Sequence, residues 1–97
     1  MFEIFLTDQA RYQLKTLKTD KSLKKKYKAV KKAIYFLSLN PRHKSLKTHE
    51  FISLKGPDGE KVFEAYAEQS IPAAYRIFWY YGSNKNQITI ITITPHP

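Results

Sequence analysis

An α+β fold is predicted for this 97-residue chain by three observations. Phe2, Ile4 and Leu6 alternate with Glu3 and Phe5, the period of two that marks a strand. Two later stretches repeat apolar residues at spacings of three and four, as amphipathic helices do. The second half holds aromatic and β-branched runs punctuated by glycine turns. The implied order is an N-terminal strand, an α-helical hairpin, then three or four antiparallel strands. The helical hairpin packs on one face of a small twisted antiparallel sheet and leaves the other face open.

Each element has a local cause. Thr7 offers an N-cap and Asp8 places a carboxylate at the positive end of the helix dipole, after which Ala10, Leu14 and Leu17 share a face, predicting a helix from about Asp8 to Lys18. Leu23, Tyr27, Val30, Ile34 and Leu37 form the stripe of a second helix. Asn40-Pro41 ends it, because proline disfavours helical backbone at the preceding residue and cannot donate the next hydrogen bond. A short strand is expected at Phe51 to Leu54, followed by a Gly56-Pro57-Asp58-Gly59 turn. Lys61 to Glu68 alternates again, with Phe63, Ala65 and Ala67 on the packing side and Val62, Glu64, Tyr66 and Glu68 on the other. Ala73 to Tyr81 and Ile88 to Thr94 complete a hairpin across a Gly82 to Gln87 loop.

Composition narrows the class of function. A chain of this length builds one core, so residues 1–97 are expected to form a single domain without room for a second lobe or a large buried cofactor. The net charge of +9 is lopsided: residues 1–49 carry 13 basic and 3 acidic side chains, residues 50–97 carry 4 and 5. The first half therefore supplies the field that attracts an anionic partner. Six lysines, Lys24, Lys25, Lys26, Lys28, Lys31 and Lys32, lie mostly opposite the second helix's apolar stripe with no acid among them. They suit phosphate contact better than solubility alone. There is no cysteine, which excludes disulfides and thiolate metal sites, and three histidines without a ligand-type spacing give no zinc pattern. No metal or cofactor is expected. Phe2 to Leu6 lacks a basic leader and a cleavage site, and Arg76 interrupts the longest apolar stretch, so a cytoplasmic protein without a membrane partner is expected.

The short first strand, the lysine-rich helical hairpin, the His43-Lys44-Ser45-Leu46 loop, the Tyr75-Arg76-Ile77-Phe78-Trp79 strand and the closing Ile93-Thr94-Pro95-His96 together resemble the RelE/ParE toxin superfamily, in its bacterial RelE-like branch. The resemblance spans nearly the whole chain and rests on order and spacing. It implies the toxin of a type II toxin–antitoxin system, with a cognate antitoxin as partner. RelE-like members act on the ribosome as metal-independent mRNA endoribonucleases that inhibit translation. ParE-like members share the fold and act on DNA gyrase, so a non-catalytic gyrase inhibitor, or a nucleic-acid- or antitoxin-binding relic, is the alternative.

Metal-free RNA cleavage by the 2′-hydroxyl needs a base, an acid for the leaving 5′-oxygen and a cation for the phosphorane. By the resemblance, Arg76 is the cation; its other role would be an ion pair with Glu64 or Glu68 across the sheet. His96, at the end of the last strand, is the matching acid or base, or else a surface side chain at a chain end. The family's distal arginine and C-terminal tyrosine have no counterpart in these 97 residues. Glu64 and His49 are taken as further catalytic residues, with Glu50, Glu68 and His43 as related substitutes. For substrate binding the candidates are Lys24, Lys25, Lys28, Lys31, Lys32, His43 and Tyr66. Tyr66, Phe78 and Tyr80 could stack on a base, Tyr66 being the best placed, while Phe78 and Trp79 suit the core. Oligomeric state is not assigned by the sequence.

Overall fold

The computed structural model describes residues 1–84 and 86–96. Lys85, inside the predicted Gly82 to Gln87 loop, and Pro97 lie outside the described residues. The chain runs β1 (Glu3–Leu6), α1 (Asp8–Thr19), a 3₁₀ turn (Lys21–Leu23), α2 (Lys24–Leu39), a second 3₁₀ turn (Lys44–Leu46), β2 (His49–Lys55), β3 (Lys61–Tyr66), β4 (Tyr75–Tyr81) and β5 (Gln87–Pro95). The five strands form one sheet in the order β1-β5-β4-β3-β2. Four of them pair antiparallel, as expected, and β1 adds a parallel pairing to β5 that makes the sheet mixed.

Both helices pack on one face. Ala10 and Leu17 of α1 and Val30, Ala33 and Leu37 of α2 join Ala65, Ile77, Trp79, Ile88, Ile90 and Ile93 of the sheet in one buried cluster. Burying each of the larger side chains contributes on the order of 1.5–3 kcal/mol. Thr7 performs the N-cap read from sequence, accepting from the Ala10 N–H at 3.1 Å, and its hydroxyl also donates to the Ile91 carbonyl at 2.6 Å. That second bond ties the start of α1 to an irregularity in β5, where the register slips opposite Phe78 and Trp79. Gln13 completes the repair: the Ile93 N–H donates to its Oε1 at 2.7 Å, and its Nε2 donates to the Thr92 hydroxyl at 3.0 Å. A bulge leaves ladder groups unpaired, and here helix side chains take them up.

Because Ala65 and Ile77 face the helices, their strand neighbours Glu64, Tyr66, Arg76 and Phe78 face away. That second face carries no helix among the described residues, and the sheet's own side chains fold over part of it. Val62 is fully buried, and the Phe51 ring of β2 covers Phe78 edge-on at 4.8 Å. β3 ends at Tyr66, two residues earlier than the alternation predicts, because the N–H groups of Ala67 and Glu68 both turn to the Tyr75 carbonyl, at 3.1 and 3.2 Å. The connection to β4 then passes through Ser70 (φ 61°) and Ala73 (φ 54°), left-handed backbone at two residues that carry a Cβ.

Candidate functional site

Strand register creates the site. His49 of β2 lies opposite Glu64 of β3, and Tyr66 of β3 lies opposite Arg76 of β4. The four side chains close into a ring on the face away from the helices. Glu64 divides its carboxylate: Oε1 is 2.8 Å from His49 Nε2, and Oε2 is 3.6 Å from Arg76 Nε. The Arg76 guanidinium carbon stacks 3.7 Å from the Tyr66 ring centroid. His49 meets the same ring edge-on at 5.8 Å and 74°.

Burial differs sharply within this ring. The Glu64 and Arg76 side chains are 9% and 10% exposed, whereas His49 is 48% exposed, so proton exchange with a ligand goes through the imidazole. His49 Nδ1 lies 3.0 Å from the Lys47 carbonyl, which only accepts. A neutral imidazole owns one N–H, yet both ring nitrogens here face acceptors. Nε2 is the ring nitrogen that faces the Glu64 carboxylate.

Arg76 makes the ion pair read as one of its two possible roles, and adds main-chain contacts. It pairs with Glu64, and its Nη1 donates to the carbonyl of Glu68 at 2.8 Å, with longer approaches to those of Ala74 and Tyr75 at 3.4 Å. Its Nε is buried without a hydrogen-bond partner, since 3.6 Å is too long for one. His96 arrives at the same corner. Its N–H donates at 2.8 Å to the Ala74 carbonyl that also faces Arg76, and the residue is exposed.

Other sequence candidates sit elsewhere. His43 stacks flat on Phe36 at 4.2 Å and 5°, and its Nδ1 accepts from the Ser45 N–H at 3.2 Å, so it caps the second 3₁₀ turn and is not part of the ring. Glu50 approaches Lys55 at 3.9 Å, away from the ring. A cleft of about 270 Å³ between α2 and that turn is lined by Lys32, Phe36, Ser45, Tyr66 and Gln69, which joins the basic helix to the site. Among the described residues, no group of three or more His, Cys, Asp or Glu is placed to hold a metal ion.

The lysine ridge divides in two. Lys24, Lys25, Lys28, Lys31 and Lys32 are exposed on α2. Lys26 is turned inward, its Nζ 3.0 Å from Glu68 Oε1. Sequence reasoning missed the contribution of α1: Arg11, Lys15 and Lys18, with Lys21 of the first 3₁₀ turn, line grooves that meet α2 around Tyr27, extending the basic surface across both helices. Their spacing of three and four along α1 was the available signal.

No protein-family model matches the chain, and no curated protein matches its sequence. Solved structures do match. A YoeB/ParE toxin from Agrobacterium tumefaciens superposes with a TM-score of 0.72 at 11% identity, covering 99% of this chain and all of that one. A YoeB-YefM toxin-antitoxin complex from Staphylococcus aureus gives 0.67 at 16% identity, covering 100% and 99%. An archaeal RelE-RelB complex from Pyrococcus horikoshii OT3 gives 0.65 at 15%, covering 97% and 93%. At such identities the likeness establishes the fold, which is that of RelE/ParE toxins. No helix is long and apolar enough to cross a membrane among the described residues.

Proposed function

We propose that this chain is the toxin of a toxin–antitoxin pair and acts as a metal-independent endoribonuclease on messenger RNA at the ribosome. The observation that carries the reading is the division of Glu64 between His49 and Arg76. It couples an imidazole to a guanidinium on one sheet face, groups suited to two of the three functions that 2′-hydroxyl attack requires. His49 protonates the leaving 5′-oxygen, Arg76 counters the charge of the phosphorane, and the exposed His96 at the same corner takes the 2′-proton. The lysines of α1 and α2 hold ribosomal RNA. The neighbours named as complexes with RelB and YefM support an antitoxin as the cellular partner here too.

The test is a cell-free translation reaction supplied with the purified chain. Messenger cuts inside codons are expected, and His49→Ala, Glu64→Gln and His96→Ala each suppress them. Intact messenger at saturating protein refutes the reading.

A second reading has its own observation. Arg76 Nη1 is directed at backbone carbonyls, which favours a scaffold role and hence a ParE-like gyrase inhibitor or an antitoxin-binding relic. Inhibition of gyrase supercoiling without messenger cleavage selects it.

A further inference from the structure

Glu68 is held by donors that also suit a different ligand. Its Oε1 accepts at 3.0 Å from Lys26 Nζ and at 3.0 Å from the Tyr75 N–H, and its side chain is only 12% exposed. An ammonium and a main-chain N–H converging on one anionic oxygen are the donor set by which proteins hold phosphate. Lys26 also lies 5.9 Å from the Tyr75 ring, so its ammonium is fixed over this notch. Arg76 is one residue beyond Tyr75, and its Nη1 donates to the carbonyl of this same Glu68.

We propose that this notch is a phosphodiester-binding subsite, masked in the free protein by the Glu68 carboxylate. The inference rests on the RNA-cleavage reading for its substrate class. Withdrawal of Glu68 frees Lys26 Nζ and the Tyr75 N–H together, and it unloads Arg76 Nη1 from the Glu68 carbonyl. The two donors that converge on Glu68 Oε1 then face one phosphate, next to Arg76 in the chain. The segment that must move is the one that carries Ser70 and Ala73 in left-handed backbone, a conformation that residues with a Cβ hold only at a cost. Masking answers a problem created by the charge: a chain of net +9 meets anions everywhere, and a resident carboxylate admits only a ligand able to displace it.

The experiment compares Glu68→Gln with Glu60→Gln, which removes the same charge from the distant turn before β3. The probe is a 2′-deoxy trinucleotide, which has no 2′-hydroxyl and is not cut, so binding is measured whether or not the chain cleaves RNA. Calorimetry with amide NMR is expected to show Glu68→Gln binding about tenfold tighter than the unmodified chain, with the Tyr75 amide resonance moving on titration. Glu60→Gln changes affinity by less than about twofold. Adding Lys26→Ala to Glu68→Gln abolishes the gain. Equal affinities for the two glutamine variants, or a stationary Tyr75 resonance, overturn the proposal. If Glu68→Gln is poorly folded, inorganic phosphate titrated into the unmodified chain decides: the Tyr75 resonance must move, and in Lys26→Ala it must not.

Discussion

Arg76 and Tyr66 sit opposite each other on β4 and β3, and the guanidinium carbon of the first lies 3.7 Å from the ring centroid of the second. A flat, delocalised cation can lie against a ring and still present a planar fork of N–H groups at its edge; an ammonium is a point charge with no such fork. Arg76→Lys is therefore expected to behave almost as a deletion. Both Arg76→Lys and Arg76→Ala leave Glu64 buried with its pairing reduced, lowering stability by about 3 kcal/mol for the alanine variant in urea unfolding. A loss below about 1 kcal/mol would mean that the stack and the ion pair are incidental.

Glu64→Gln separates chemistry from scaffold. The amide preserves size and can still meet His49, but it removes the charge that stabilises a proton on Nε2. Messenger cleavage is expected to fall by about a hundredfold or more while the thermal midpoint moves only a few degrees. Proportionate losses in both would assign Glu64 to the fold alone.

The lysines should sort by exposure. Replacing Lys24, Lys25 or Lys28 flattens the salt dependence of ribosomal RNA binding by roughly 0.7 per lysine and leaves stability unchanged. Lys26→Ala instead lowers stability by about 1 kcal/mol, because its ammonium is tied to Glu68. Filter binding across a salt series, run beside urea titrations, distinguishes the two groups.

Gln13 belongs to the fold and not to the site. Gln13→Ala orphans the Ile93 N–H at the β5 irregularity and is expected to cost about 1–3 kcal/mol with no change in RNA binding. An unchanged unfolding curve would show that the N–H finds another acceptor.

Asp20 contributes to acid sensitivity. The Ser22 hydroxyl, and then the Ser22 N–H, hold the Asp20 carboxyl below its ordinary 3.8 by hydrogen bonding to the charged form. A depressed folded-state value stabilises the fold at pH above the ordinary one, and this support is lost as pH falls through the folded value. Asp20→Asn should therefore show a shallower loss of stability on acidification below about pH 4. Parallel curves for the two proteins would remove Asp20 from the account.

Much of the architecture was legible because it depends on local rules. The Thr7 cap, the two helical stripes and the inward position of Ala65 all follow from period and capping. The parallel partnership of β1 with β5 does not, since nothing near Glu3–Leu6 encodes which distant strand it meets. The site was legible by residue type and obscure by arrangement. Arg76 was read as a possible partner of Glu64 or Glu68 because opposite charges commonly pair across neighbouring strands. The third member, His49, gained its place only from the β2–β3 register. Lys26 was indistinguishable from its neighbours by pattern, and its inward turn is a tertiary event involving Glu68, 42 residues away.

The hydrogen bond from Thr7 to the Ile91 carbonyl spans 84 positions of chain. Closing so large a loop costs more conformational entropy than zipping β2, β3 and β4, which are neighbours in sequence as well as in space. The kinetic order implied is a meander first and β1 last. The ring of His49, Glu64, Tyr66 and Arg76 is thus assembled within the early-forming part, ahead of the slow step that seals the opposite edge.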